Sequence, residues 1–233
     1  MTKYVEDTYA KIAQAYADEF FSDTSDLPSI NQLVEKLEAG AKVLDIGSGP
    51  GQFAKFLNDK GFAVEGIDNS DEMLSIAKAK VPDVTFTKMD MRSLSFPDSC
   101  FDGVLAAYAI IHIPTDELDG VFAEMKRVLK PDGYILFIVQ QGEADQVLDE
   151  PLVKGEKIFV NFFNTERLNA LLAEAGFEII NQDIKTQPSE DLSSEVIYTL
   201  AAHAKPTKAF TDVVDAMAHT PPISNEELKR RKA

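Results

Sequence analysis

With 233 residues and 45% hydrophobic side chains, the chain can bury one large core unaided, which sets aside disorder and disulfide-stapled scaffolds. A single cysteine, Cys100, excludes an intrachain disulfide and a cysteine-built zinc site, and His112, His203 and His219 lie too far apart to suggest metal ligation, so no metal is expected. A formal net charge of −16 repels nucleic acid unless a basic patch overrides it, and the one basic cluster, Lys229-Arg230-Arg231-Lys232, reads as a solvated helix end where cations suit the macrodipole.

The first residues, Met1 to Asp7, lack the apolar core of a signal peptide. No apolar run reaches the ~18 residues of a membrane span, so a cytoplasmic protein with no membrane partner is expected. Residues 3–21 carry Val5, Tyr9, Ile12, Ala13, Tyr16 and Phe20 at the spacing of one helical face. Pro28-Ser29 opens a second helix through Leu33, Val34 and Leu37 that stops at Gly40, and residues 1–40 form a helical cap of the same domain. Short apolar strands then alternate with amphipathic helices. The strands are Lys42 to Ile46, Ala63 to Ile67, Val84 to Thr87, Asp102 to Ala106 and Tyr134 to Val139. The helices run from about Gly51 to Lys60, over 70–80, from Asp116 to Leu129 and from Thr165 to Ala175. Two further strands, Phe177 to Ile184 and Glu195 to His203, are joined by the polar stretch Thr186 to Ser194, which leaves no room for a crossover helix; they form an antiparallel hairpin. The pattern predicts an α/β domain over 41–205 with a doubly wound, mostly parallel, seven-stranded sheet and that hairpin at its edge. Residues 206–233 form a tail of short helices broken at Pro221-Pro222. Phe210, Val213, Val214 and Met217 suit docking there on the chain's own domain or on a second copy in a homodimer.

The first strand runs into Gly47-Ser48-Gly49-Pro50-Gly51 and then a helix. Glycines at such a turn let the backbone bend sharply and let a ligand approach the main chain. The dinucleotide fingerprint G-x-G-x-x-G needs glycine at position 52, where Gln52 stands; the spacing is G-x-G-x-G, with Asp45 two residues before the first glycine.

From about Tyr9 to Lys205 the chain resembles the class I S-adenosylmethionine-dependent methyltransferases, in particular the small-molecule type 11/25-like group. The resemblance is carried in order by Val43-Leu44-Asp45-Ile46-Gly47-Ser48-Gly49-Pro50-Gly51, by Gly66-Ile67-Asp68-Asn69-Ser70, by Lys88-Met89-Asp90-Met91, by Phe101-Asp102-Gly103-Val104 running on to Ala109-Ile110-Ile111-His112-Ile113, and by Leu129-Lys130-Pro131-Asp132-Gly133-Tyr134. It implies a Rossmann-like fold with S-adenosylmethionine as cofactor. Asp45, Gly47 and Gly49 belong to the cofactor loop, and Asp68 accepts the two ribose hydroxyls or, on the alternative reading, caps the next helix. Asp90 accepts from the adenine amino group, or is a plain turn aspartate, while the amide of Met91 faces a ring nitrogen. Asn69 and Met73 border the adenine, and the backbone of Ala106 and Ala107 lies along the methionine portion. Tyr16 reaches the cofactor carboxylate or is a core-facing aromatic.

The implied reaction is in-line displacement at the activated methyl, for which the protein mainly aligns two reactants and excludes water. A general base is needed only where the acceptor carries a proton. His112 and Tyr108 are the candidate catalytic residues, with a turn-capping or cofactor-packing role as the alternative for His112. Walls for the acceptor are expected from Tyr9, Tyr16, Tyr108 to His112 and Gln140-Gln141, with Gly142 to Phe163 long enough for a lid. Within that lid Ile158, Phe159, Phe162 and Phe163 give an apolar inner side. Glu143, Asp145, Asp149 and Glu150 either select a cationic acceptor or form a solvated face. A small-molecule acceptor is expected. A non-catalytic cofactor-binding or scaffolding module, and a protein methyltransferase, are the alternatives. The Asn-Pro-Pro-Tyr signature for planar amines is replaced by Ala107-Tyr108-Ala109-Ile110, a further argument against nucleic acid.

Overall fold

The parallel strands alternate with helices because their apolar residues come in short unbroken runs, each closed by a turn residue, while the helices carry apolar residues on one face only. In the computed structural model, which describes residues 2–143, 145–186 and 195–204, this produces helices α1 (Thr2–Phe20), α2 (Leu27–Val34), α3 (Gln52–Asp59), α4 (Asp71–Lys80), α5 (Leu118–Val128) and α6 (Thr165–Glu174). The strands are β1 (Lys42–Ile46), β2 (Ala63–Asp68), β3 (Thr85–Lys88), β4 (Phe101–Ala107), β5 (Leu129–Gln140), β6 (Asp145–Asp149), β7 (Lys157–Asn161), β8 (Phe177–Thr186) and β9 (Glu195–His203). Met1–His203 form one compact unit. The tail expected beyond Pro206, its basic cluster and most of the polar link between β8 and β9 lie outside the described residues. Among the described residues no helix is long and apolar enough to cross a membrane.

Seven strands form one sheet in the order β3-β2-β1-β4-β5-β9-β8, with β9 antiparallel to both of its neighbours and the remaining pairs parallel. The expected edge hairpin is therefore present. The chain proceeds outward in one direction from β1 and in the other from β4, so the crevice beyond their carboxyl ends is the topological switch point where ligands bind in such sheets. One face buries Phe122, Met125, Leu168 and Leu172 from α5 and α6; the other buries Ile30, Leu33, Phe53, Leu57 and Leu74 from α2, α3 and α4.

Three boundaries differ from expectation for physical reasons. α2 stops at Val34 instead of reaching Gly40, because the chain tightens into turns (Lys36 N–H to Leu33 O, 3.0 Å) that swing Leu37 against Gly103. β5 begins at Leu129 because Leu129 pairs with Phe101 across a register shift that absorbs Pro131-Asp132-Gly133. The span Gly142 to Phe163 holds a two-stranded antiparallel sheet, β6 with β7. Sequence patterning did not signal β6, because most of Asp145–Asp149 is exposed and shows no alternation.

Candidate active site

The carboxyl ends of β1, β2 and β4 and the inner face of α1 enclose one cavity. Of the residues expected to hold cofactor or act in catalysis, it brings together Tyr16, Gly47, Gly49, Asp68, Asn69, Met73, Asp90, Met91, Ala107, Tyr108 and His112. Val5, Glu6, Gln52, Phe53 and Met89, which the sequence reading passed over, complete the wall together with Tyr9. Gln140 and Gln141, expected as acceptor walls, do not line it; Gln141 Nε2 donates to Glu195 Oε2 (2.9 Å).

The loop after β1 holds its shape through glycine. Gly47 has φ +68°, and a Cβ there would lie 2.8 Å from the Cβ of Ala109, so neither the backbone angle nor the space admits a side chain. Gly51 has φ +90°, and a Cβ there would press on Phe86 at 2.9 Å, so this glycine lets α3 seat closely on the sheet. With Gln52 at the next position, the turn lacks the third glycine of a dinucleotide site.

Asp68 closes β2. Its Oδ2 accepts from Gly49 N–H (2.9 Å) and its Oδ1 from Ser70 N–H (2.8 Å), tying the glycine loop to the tip of β2. The helix cap is supplied by Ser70, whose Oγ accepts from Met73 N–H (3.2 Å), so the capping alternative for Asp68 falls away. Burial raises the pKa of Asp68, and the amides of Ser70 and Gly49 offset part of that rise. A carboxylate has about four lone-pair sites, so two amide donors leave acceptor capacity toward the cavity.

Asp45 does not line the cavity. It lies behind the loop at 1% exposure, takes a hydrogen bond from the backbone of Ala54, and its Oδ2 has no partner among the described residues. Burial, with the nearby Asp68 charge, pushes its pKa up to about 7. Asp90 reaches the wall but is clamped by Arg92, whose Nε (2.9 Å) and backbone N–H (3.0 Å) both donate to Oδ1, while Nη2 bonds Oδ2. Glu117 holds the other end of that guanidinium at 2.5 Å. The Arg92 hydrogen bonds keep Asp90 below the ordinary carboxylate range. The signal for this clamp was local, an arginine two residues after the aspartate, yet side-chain direction decided it.

His112 closes a short 3₁₀ turn, Ile110–His112, after β4. Its Nδ1 lies 2.8 Å from Phe159 O on β7, and its Nε2 lies 2.7 Å from the hydroxyl of Tyr9 on α1. A carbonyl only accepts, so Nδ1 carries the proton and Nε2 accepts from Tyr9. Burial depresses the imidazole to about 4, leaving it neutral at physiological pH, and burial raises Tyr9 well above the usual phenol range. Tyr16 packs edge-on to Tyr9 with centroids 5.9 Å apart, and burial raises its pKa too.

The lid expectation is refined by contacts between α1 and β7: Thr8 Oγ1 donates to Lys157 O (2.9 Å), and Lys11 pairs with Glu156 at 2.8 Å. Ile158, Phe159, Phe162 and Phe163 are all buried, but neither they nor any other described residue of 142–163 lines the cavity, so the expected apolar inner side faces the protein interior and not the site. Of the four lid acids, Glu143 accepts from Asn164, Asp145 faces Thr115 and Arg167, and Asp149 pairs with Lys157. Glu150 alone is buried, at 6% exposure, with Oε1 accepting from Leu152 N–H.

A glycine turn at the switch point, a buried carboxylate at the tip of the second strand and no pyrophosphate-type glycine spacing define a nucleoside-cofactor site in a doubly wound domain. The model of the family described as a methyltransferase domain matches residues 43–133. An uncharacterized methyltransferase of Synechocystis sp. is 30% identical over 156 residues, covering 64% of this chain and 72% of its own. A sterol 24-C-methyltransferase of Yarrowia lipolytica is 30% identical over 196 residues, and there the match spans 76% of this chain but only 49% of the relative. Among solved structures, the Burkholderia thailandensis 1,6-didemethyltoxoflavin-N1-methyltransferase, with bound 1,6-didemethyltoxoflavin and S-adenosylhomocysteine, aligns with a TM-score of 0.72 at 19% identity over 88% of this chain and 89% of that one. The chain belongs to the class I S-adenosylmethionine-dependent methyltransferase family.

Proposed function

We propose that the chain is a catalytic methyltransferase acting on a small organic acceptor in the cytoplasm. The observation that carries this reading is that the acceptor capacity of Asp68 and the neutral His112–Tyr9 pair open onto one cavity. The residues fit the cofactor. Asp68 retains lone pairs for two ribose hydroxyls, Met73 and Asn69 border the place of the adenine, the amide of Met91 faces a ring nitrogen, and Gly47, Gly49 and Ala107 leave bare backbone for the methionine end. Tyr16 on α1 closes that end, and Asp45 braces the loop from behind through the Ala54 amide. When bound, S-adenosylmethionine supplies an electrophilic methyl on a sulfonium. The chain's own residues align, exclude water and, for an acceptor bearing a proton, take that proton at the Tyr9 hydroxyl, which passes its own to His112 Nε2, the imidazole being kept in the accepting tautomer by the Phe159 carbonyl. The backbone and ring of Tyr108 shape the wall between β4 and His112 without a proton-transfer task. The cavity wall carries Tyr9, Tyr16, Tyr108 and Ile113, which suits an organic acceptor, and the structural neighbour's acceptor is likewise a small molecule.

The test is transfer of labelled methyl from S-adenosylmethionine, incubated with the protein and with separated low-mass and macromolecular fractions of a cell extract. Label in the low-mass fraction, lost in Asp68→Ala, is expected. Label mainly in protein overturns the small-molecule reading. Cofactor binding by calorimetry without any transfer overturns the catalytic one.

A further inference from the structure

Asp26 sits at the N-cap of α2, where an aspartate ordinarily accepts from an amide two or three residues on. Its side chain makes no such bond; the backbone carbonyl of Asp26 takes Ser29 N–H (2.9 Å) and Ile30 N–H (3.0 Å) in the turn. The carboxylate instead points inward at 6% exposure. There its Oδ1 accepts from the hydroxyl of Tyr198 at 2.6 Å and from that of Tyr108 at 3.2 Å, partners 172 and 82 positions away in the chain. A buried carboxylate that forgoes its local cap and gathers two distant hydroxyls has a task outside its own helix.

Tyr108 identifies the task. It follows the last residue of β4, lines the cavity, and has φ +53°, a left-handed conformation that costs a residue with a side chain ~1–3 kcal/mol. Both of its ends are fixed. Its N–H donates to Ile138 O on β5 (2.8 Å), and its hydroxyl is held by Asp26. Ile138 is in turn the register partner of Tyr198 on β9, the other tyrosine on Asp26, so the two anchors of Tyr108 are joined through Tyr198. Lys185 steadies the same corner, with Nζ on Ser29 Oγ (2.8 Å) and above the Tyr198 ring at 5.2 Å.

We propose that Asp26 is a positioning residue for methyl transfer: through the Tyr108 hydroxyl it holds the strained end of β4 in the shape that receives the methionine end of the cofactor. The proposal rests on reading the cavity as the cofactor site. A wall held in advance needs no ordering when ligand binds, so its loss shows as weaker binding. Charge on Asp26 is secondary to its oxygen, since both tyrosines donate to the same atom.

The experiment is calorimetry with S-adenosylhomocysteine, with thermal unfolding run in parallel. Asp26→Ala and Tyr108→Phe are each expected to weaken binding about tenfold. The double variant should be no weaker than Asp26→Ala alone, because that variant already removes the Tyr108 interaction. Asp26→Asn, which keeps an acceptor oxygen, should recover most of the affinity. Additive losses in the double variant, affinity in both single variants equal to the parent, or failure of Asp26→Asn to rescue would each overturn the proposal. Should Asp26→Ala not fold, Tyr108→Phe, which deletes one exchangeable hydroxyl and no bulk, decides by itself: unchanged affinity overturns it. Absence of binding in the parent protein would instead overturn the cofactor-site reading, and the proposal with it.

Discussion

Replacing Asp45 by Asn should make the protein more stable than its parent at neutral and mildly alkaline pH, although the change removes a residue of the cofactor-loop motif. The carboxyl is buried at 1% exposure with one oxygen unpartnered among the described residues, and it keeps its proton up to about pH 7 in the fold against 3.8 when free. Between those values the unfolded chain ionises freely while the native state must hold the proton or bury a charge. For an acid with a raised folded pKa, the stability is full below about pH 4 and is lost as pH climbs toward 7. At 1.36 kcal/mol per pH unit, that interval corresponds to a ceiling of about 4 kcal/mol, which relaxation of the loop and water entry reduce. Asparagine keeps a carbonyl oxygen for the Ala54 amide and cannot ionise, so it escapes this loss and also relieves Asp68 of a neighbouring charge. Urea unfolding at pH 5, 6, 7 and 8 measures the effect through the midpoint at constant slope. The advantage of Asp45→Asn should grow by a few kcal/mol from pH 5 to pH 8 and level off above that. An offset between the two proteins that stays constant across the series would refute the reasoning.

Two further outcomes follow from the same site. Gly47→Ala should destabilise by about 1–3 kcal/mol on the backbone angle alone, with the 2.8 Å approach to Ala109 adding to it; an unchanged thermal midpoint would contradict the geometry of the loop. Because His112 titrates near 4, its neutral, proton-accepting form is complete above pH 6, so kcat/KM should show no acidic limb near 6.5. The sign for stability is the reverse of that for Asp45: a depressed histidine contributes stability above about 6.5 that is lost as pH falls toward 4. An acid limb at 6.5 that disappears in His112→Gln would show the imidazole to be solvated and the Phe159 and Tyr9 contacts to be absent in solution.

The half of the cavity proposed to take the cofactor was legible because its parts are local. Gly47, Asp68 and Asp90 each stand at the carboxyl end of, or just after, a strand whose apolar run reads directly from the chain, and a parallel sheet brings successive strand ends to one edge. The choice between Asp68 and Ser70 for the cap of α4 stayed open in the run Asp68-Asn69-Ser70, and the start of the helix at Asp71, next to Ser70, decides it. What the pattern left open was the direction of side chains whose partners come from elsewhere. Asp45 has the spacing of a ligand-facing residue, yet the pleat turns it behind the loop, and Asp90 meets Arg92 before it meets the cavity.

The acceptor half was not legible, and its construction explains why. Tyr9 lies 103 residues from His112, and His112 lies 47 from Phe159, so the dyad exists only once α1 and β7 have both docked over the end of β4. The elements that build it have weak local signals: β6 is exposed and does not alternate, so nothing in it marks the hairpin it forms with β7. Helix α1 can change the residues it puts on the cavity wall without disturbing the strand ends proposed to hold the cofactor. On the proposed reading donor recognition is thereby tied to the fold, while acceptor choice is tied to α1 and the turn at His112. Exchanging Tyr9 and the wall residues Ala109 and Ile113 for those of a relative with a known acceptor should then move acceptor preference while leaving affinity for S-adenosylhomocysteine in place, and a loss of that affinity would show the two halves to be one unit.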